Sequence, residues 1–491
     1  MPKESLEINL AGIRLTRNPA KPLYLQLYDQ FREMILQQRL RPGDRLPASR
    51  NLAKELGVSR VIVNQAYEQL IMEGYLVGRT GAGTFVAPVL PDHLLSASGP
   101  REAGRSQQTP MAVHGREPQG ALARQELRPF EIGIPSLDHF PYKVWQQVAN
   151  KVLKGFKNYH LGYGDTLGHW ELRQAIASYL RVARAVNCEA GQVIVVTGSQ
   201  QGLNLITRCL LQKGETVWME DPGYPGARTA FAEAGAEICN IPIEEDGLNI
   251  GYAIERCPEA RMVYITPSHQ FPLGRTLSRA KRLQLLEWAR QHHLWILEDD
   301  YDSEFRYEGN PLASVQGLDT GGRVIYTGTF SKVLFPGLRL AYIVLPFVEM
   351  VETFFKIKQS TDRQSPILEQ LIVARFMEDG YFLRHIRKMR LLYAERQAIL
   401  VSLLHEQAGN LFRLSVSPSG MHILCRLPDK TDLPRFREEA KRMGLNISVI
   451  NDYTQQVLPP TLALGFTAFS KYRMRVAAGQ LAKCVELALL P

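Results

Sequence analysis

The chain has 491 residues, of which 45% are apolar and 22% charged, and it carries a formal net charge of +9. That length exceeds one ordinary domain, the balance is that of a soluble globular protein, and the charge permits a polyanionic partner. No run of about 18 apolar residues occurs and the charged start Met1–Glu7 lacks an apolar core, so neither a membrane span nor a signal peptide is expected.

In chain order, three regions differ in texture. Residues 1–88 form a small basic unit, with 12 Lys and Arg against 8 Asp and Glu. Tyr24, Leu27, Tyr28, Phe31 and Ile35 recur at helical spacing, which predicts an amphipathic helix over 23–38. Pro42-Gly43-Asp44 turns the chain. Ser49 is placed to cap a short helix from Arg50 to Leu56, which Gly57 stops, and Ser59 to cap a third helix. That third helix carries Val63, Ala66, Tyr67, Leu70 and Ile71 on one face and ends at Gly74. Two extended runs follow, Tyr75–Val77 and Thr84–Val86, joined by a glycine-rich link. A helix–turn–helix followed by a two-stranded wing is a DNA-reading pattern, with the third helix entering the major groove. Its outward Ser59, Arg60 and Asn64 are residue types that bond base edges or phosphates.

Residues 89–128 are rich in Pro, Gly, Ser, Gln and Ala without periodicity, which reads as a flexible tether. From 129 to 491 strand-like runs alternate with helical stretches. The runs are Val193–Thr197, Thr216–Glu220, Met262–Thr266, Trp295–Asp299 and Arg323–Thr327, with helices over 200–212, 225–235 and 278–292 between them. This alternation predicts an α/β unit with a mostly parallel sheet covered on both faces, binding its ligand at the carboxyl ends of the strands. The six cysteines (188, 209, 239, 257, 425, 484) show no paired spacing and read as reduced cytosolic thiols.

Each strand end carries chemistry. Gly198-Ser199-Gln200 meets a helix start, a natural phosphate cradle. Asp221-Pro222-Gly223-Tyr224 can lay an aromatic face on a planar ring, and Pro267–Gly274 holds His269, a second candidate polar group. Glu298-Asp299-Asp300-Tyr301-Asp302 supplies carboxylates. Tyr326-Thr327-Gly328-Thr329-Phe330-Ser331-Lys332, with Arg339 seven residues on, joins an amine to a hydroxyl and a guanidinium. An amine for an aldehyde, a carboxylate for a ring nitrogen and a phosphate cradle are what pyridoxal phosphate requires.

On Arg-Pro-Gly-Asp-Arg-Leu-Pro-Ala-Ser-Arg (41–50), Leu-Ala-Lys-Glu-Leu-Gly-Val-Ser-Arg (52–60) and Glu-Gly-Tyr-Leu (73–76), the first unit resembles the GntR-family winged helix. The resemblance implies that Arg50, Ser59, Arg60 and Asn64 contact DNA and that the wing tip Thr80-Gly81 approaches the minor groove. Val61 and Ile62 stand where that family often has Thr. On Asp-Pro-Gly-Tyr-Pro-Gly (221–226), Pro-Ser-His-Gln-Phe-Pro (267–272), Glu-Asp-Asp-Tyr-Asp (298–302), Gly-Thr-Phe-Ser-Lys (328–332) and Pro-Gly-Leu-Arg (336–339), residues 129–485 resemble a fold type I aminotransferase, and the whole chain a MocR/GabR-type regulator. By that likeness a smaller C-terminal α+β subdomain follows the sheet. Lys332 bonds the cofactor aldehyde, Asp299 pairs with the pyridine nitrogen, Tyr301 bonds the phenolic oxygen and Tyr224 stacks on the ring. Ser199, Gln200, Ser331 and Arg339 hold the phosphate, and Tyr163 reaches the phosphate of a second subunit. No metal ligand is implied. Arg473, in Tyr472–Gly479, takes a substrate carboxylate, with Arg475 on the opposite face if the segment is a strand. Phe271 replaces the Asn that aminotransferases often place before this Pro-x-Gly turn.

The implied protein is a homodimeric cytoplasmic regulator on operator DNA, sensing an amino compound, or pyridoxal phosphate itself, through Lys332. The alternative is an active aminotransferase with an accessory DNA-binding domain.

Overall fold

The structure, a computed structural model, describes residues 13–16, 21–37, 39–79, 82–88, 127–309 and 312–489. The chain divides into two compact units, Met1–Ala121 and Leu122–Pro491.

In the first unit, helices α1 (Leu23–Leu36), α2 (Ser49–Glu55) and α3 (Arg60–Met72) precede strands β1 (Leu76–Arg79) and β2 (Gly83–Val86). The four-residue spacing in α1 buries Leu27, Phe31 and Ile35 completely against Leu52, Val63, Ala66 and Leu70. Phe31 meets the ring of Tyr67 edge-on at 5.7 Å. β1 and β2 pair antiparallel from Leu76↔Val86 to Arg79↔Gly83, which makes the wing. Ser49 does not cap α2. It is the first helical residue, after Ala48, and its Oγ accepts a hydrogen bond from Arg60 Nε at 3.1 Å. Ser59 does occupy the N-cap position of α3, although its side chain makes no capping bond. Ile71, expected inside, is 38% exposed, because the buried stripe runs through Val63, Ala66, Tyr67 and Leu70 and leaves it at the margin.

The second unit is built on an eight-stranded sheet of β3 (Val193–Val196), β4 (Thr216–Asp221), β5 (Glu237–Glu244), β6 (Gly247–Leu248), β7 (Met262–Ile265), β8 (Trp295–Asp300), β9 (Val324–Thr329) and β10 (Ala341–Val344). Their order is β3-β10-β9-β8-β7-β4-β5-β6. β4, β5, β7, β8 and β9 run parallel, and β10 runs antiparallel between β9 and β3. β3, β7 and β9 are buried along their whole length, which is why they read as unbroken apolar runs. The carboxyl ends of β3, β4, β7, β8 and β9 therefore share one edge. A smaller sheet, β11 (Arg413–Ser415), β12 (His422–Arg426), β13 (Ser448–Val449) and β14 (Thr461–Gly465), packs with the helices Tyr381–Ala408 and Lys471–Leu489 around its own core.

One condition is unmet here and one expectation fails. Tyr472–Gly479 is not a strand but lies in the helix Lys471–Leu489, whose buried Met474, Ala477, Ala478, Leu481 and Val485 follow helical spacing. The cysteines are not all free thiols: Cys239 and Cys257 are joined, because the fold brings together two residues 18 apart that spacing alone does not pair.

Candidate functional site

At the shared strand edge lies a cavity of about 420 Å³. Lys332 enters it from the link after β9. Phe330, buried against Tyr342 and Phe382, anchors that link, and Ser331 N donates to Thr329 Oγ1 at 3.1 Å. Lys332 Nζ donates to the Gly133 carbonyl at 2.9 Å. Burial lowers the amine's pKa, opposed by Asp302, Asp299 and Glu131, so more of it is the unprotonated nucleophile near neutrality. Gly133 has φ +71, and a Cβ there would lie 2.6 Å from Nζ.

Asp299, at the end of β8, faces the cavity floor. Its Oδ2 accepts from Tyr264 of β7 at 2.7 Å, while Oδ1 is buried without a partner. Burial pushes the carboxyl up to about 6, against the Tyr264 hydrogen bond. Behind it Glu220, lifted to about 7 by burial, accepts from Thr266 Oγ1 at 2.6 Å and from Thr266 N at 3.1 Å. Tyr301 donates to the His269 carbonyl at 3.0 Å, and His269 Nδ1 lies 3.0 Å from that hydroxyl and 2.9 Å from Asp302 Oδ2. Burial first, then the neighbouring carboxylates, keep Tyr301 a phenol.

Gly198 caps the helix Ser199–Leu210, whose N-terminus opens into the cavity beside Ser331 and Arg339. A Cβ on Gly198 would stand 3.0 Å from the Arg339 guanidinium, so the glycine lets the cation approach the helix start. Arg339 itself has φ +52, a conformation that costs a non-glycine residue about 1 kcal/mol or more. Gln200 Nε2 donates to the Gly226 carbonyl at 3.0 Å, and Tyr224 meets Phe271 edge-on at 5.7 Å.

The cavity thus gathers Lys332, Asp299, Tyr301, Tyr224, Ser199, Gln200, Ser331 and Arg339. It also contains Gly133, Tyr264, Met421, His422 and Tyr453, which the sequence reading did not single out. Two residues fall outside it. Tyr163 is 81% exposed with the Arg363 guanidinium 4.2 Å over its ring. Arg473 is not a cavity residue: on its helix it donates to the Leu127 carbonyl at 2.7 Å, and Arg475 pairs with Glu406 at 3.5 Å.

In the first unit Arg50, Ser59 and Arg60 are exposed and Asn64 is half-buried. Val61, beside them, is 64% exposed. The Ser49 bond fixes Arg60 at the start of α3. Thr80 and Gly81 lie outside the described residues.

A winged helix–turn–helix in one unit and a strand-edge pocket shaped for a phosphorylated aldehyde in the other define a DNA-binding regulator built on an aminotransferase fold. The family pattern "Aminotransferase class I and II" matches residues 129–486, and "Bacterial regulatory proteins, gntR family" matches 23–86. The chain is 36% identical to the probable rhizopine catabolism regulatory protein MocR of Rhizobium meliloti over 438 residues, 89% of this chain and 88% of that protein. It is 33% identical to the HTH-type transcriptional regulator TauR of Rhodobacter capsulatus over 392 residues, 78% and 79% of the two chains. Among solved structures, the Pyrococcus horikoshii kynurenine aminotransferase in complex with PMP superposes with a TM-score of 0.68 at 28% identity, covering 74% of this chain and 91% of that one. The chain belongs to the MocR/GabR-type transcriptional regulators of the GntR family, with a class I and II aminotransferase domain and pyridoxal phosphate as its cofactor.

The pocket fits that cofactor on its own terms. The unpartnered Asp299 Oδ1 suits a protonated ring nitrogen, and the Gly198–Arg339 cradle suits a phosphate. Among the described residues, no helix is long and apolar enough to cross a membrane.

Proposed function

We propose that this regulator senses a small amino compound in its pocket and changes its hold on operator DNA in response. One observation carries the reading: a buried amine with a lowered pKa and an unpartnered buried carboxylate face one cavity, in a chain that also exposes Arg60 and Ser59 on a recognition helix. Pyridoxal phosphate, when bound, supplies an aldehyde that captures primary amines and a ring that draws electrons. Lys332 would hold the aldehyde end, at the place for which an arriving amine would compete. Asp299 keeps a proton on the ring nitrogen, Tyr301 bonds the phenolic oxygen, and Tyr224 covers the ring. Ser199, Gln200, Ser331 and Arg339 grip the phosphate. Arg50, Ser59, Arg60 and Asn64 meet the DNA. A coupling of about 1–3 kcal/mol between pocket and operator is enough for regulation.

The chain acts in this reading as a cytoplasmic homodimer, with 1–88 reading DNA, 89–128 as tether and 129–491 as sensor. The exposed Tyr159, Leu161 and Tyr163 support a second copy as the cover of that surface, with Tyr163 reaching the partner's phosphate site. The likeness to working aminotransferases supports a second reading, sustained amino transfer.

Operator retention measured with and without amino compounds, beside a keto-acid assay with 2-oxoglutarate, separates the two. Amine-dependent retention without sustained turnover is expected. Turnover with retention indifferent to every amine, or to pyridoxal phosphate, would refute the sensor.

A further inference from the structure

The cavity has two chemically different ends. The helix start at Ser199 and the Arg339 guanidinium form one end, made for phosphate. At the other stands an aromatic and apolar wall. The Phe271 ring lies 5.6 Å from Tyr453 and 6.4 Å from His422, and Met421 adjoins His422.

Among the described residues, the cations lining the cavity are Lys332 and Arg339, and each has a task in the reading above. His422 does not add a third. It is buried, and its Nε2–H donates to the Pro272 carbonyl at 2.8 Å. Burial, with His269 beside it, holds its pKa down at about 4, so the ring is neutral and its Nδ1 offers a lone pair. β14, which pairs with β12 from His422↔Gly465 to Arg426↔Thr461, reads Thr-Leu-Ala-Leu-Gly and brings no charge to that side. Arg275 and Arg426, each four residues from a wall residue, pair with Glu245 at 3.7 Å and Asp429 at 3.0 Å, and Arg473 and Arg475 are engaged elsewhere. Two acidic side chains, Asp299 and Asp302, already line the cavity. Among the side chains of one copy, a carboxylate placed here would give up its water without gaining a counter-charge, and would face like charges and a lone pair.

We propose that the amine sensed at Lys332 carries no carboxylate: it is a small primary amine with a neutral remainder, apolar or bearing a hydroxyl that donates to His422 Nδ1. This inference rests on the amine-sensing reading of the pocket and narrows it to a ligand class.

The test uses the full-length, cofactor-loaded protein and matched pairs differing only at the acid group. Suitable pairs are L-alanine and 2-aminopropan-1-ol, L-phenylalanine and 2-amino-3-phenylpropan-1-ol, and 4-aminobutanoate and 4-aminobutan-1-ol. Isothermal titration calorimetry gives affinity, and the visible absorbance of the cofactor reports arrival at Lys332. In each pair that responds, the carboxylate-free member is expected to bind at least about tenfold more tightly. Tyr453→Arg puts a guanidinium into the half-buried part of the wall and is expected to reverse that order. A wild-type preference for the amino acid, or equal binding, overturns this inference while leaving amine sensing intact. Silence from every pair in protein that holds its cofactor overturns both. An unreversed order in a cofactor-holding Tyr453→Arg protein overturns the missing counter-charge as the cause.

Discussion

Asp299→Asn isolates the ring-nitrogen contact from the rest of the pocket. Burial raises the carboxyl from 3.8 to about 6, a displacement of roughly 3 kcal/mol at about 1.36 kcal/mol per pKa unit. The folded, empty protein therefore holds this proton more tightly than the unfolded chain does. The associated stability is complete below a pH of about 3.8 and is lost as pH rises through about 6. Above that pH the site holds an ionised carboxylate with one oxygen on Tyr264 and the other unpartnered, and a pyridinium offsets its cost on binding. 4′-Deoxypyridoxine phosphate has the ring and phosphate but no aldehyde, so its binding reports this contact apart from Lys332. Between about pH 5 and 7 the wild-type protein should gain about tenfold in affinity relative to Asp299→Asn, about fivefold of it by pH 6, and the ratio should then level off. The amide keeps the shape and the Tyr264 bond without the charge, and at pH 7 it should bind on the order of 100-fold more weakly. The ligand's own titrations are common to both proteins, so calorimetric titrations from about pH 5 to 8 isolate the Asp299 contribution. A constant ratio across that range would refute the reasoning.

Gly133→Ala places a methyl 2.6 Å from Lys332 Nζ at a φ of +71, and should slow or abolish the yellow colour of added pyridoxal phosphate while far-ultraviolet circular dichroism stays unchanged. Arg60→Ala should weaken operator retention by about 1–3 kcal/mol in a gel-shift titration, with the cofactor spectrum intact. Arg473→Ala, outside the cavity, should leave amine-induced spectral changes within about twofold of wild type, and a larger loss would restore it to the site.

Unbroken apolar runs and period-3.6 patterns carried much of this fold. The five strands that end in the pocket were legible because they are buried on both faces, and α1 because Leu27, Phe31 and Ile35 mark one stripe. β10 was not legible: Ala-Tyr-Ile-Val looks like any buried strand, and nothing local says that it runs backwards between β3 and β9. The helical setting of Arg473 had a detectable signal. Arg-Met-Arg-Val alternates like a strand, yet Met474, Ala477, Ala478, Leu481 and Val485 recur at helical spacing over a longer window. Of the site, the residues within signature runs were legible, whereas Gly133, Met421, His422 and Tyr453 come from segments remote from those runs and carry no local mark. The Cys239–Cys257 pairing is likewise a product of tertiary placement.

The reversed direction of β10 puts Lys332 and Arg339 on a single excursion of the chain, pinched shut where Phe330 N meets the Leu340 carbonyl at 3.1 Å. The reactive amine and the phosphate clamp thus share one hinge pin instead of being mounted on separate strands. A slip of β10 by one residue would turn Tyr342 away from Phe330 and misalign both grips together. Damage at that strand pairing should therefore produce an all-or-nothing loss of loading rather than graded weakening.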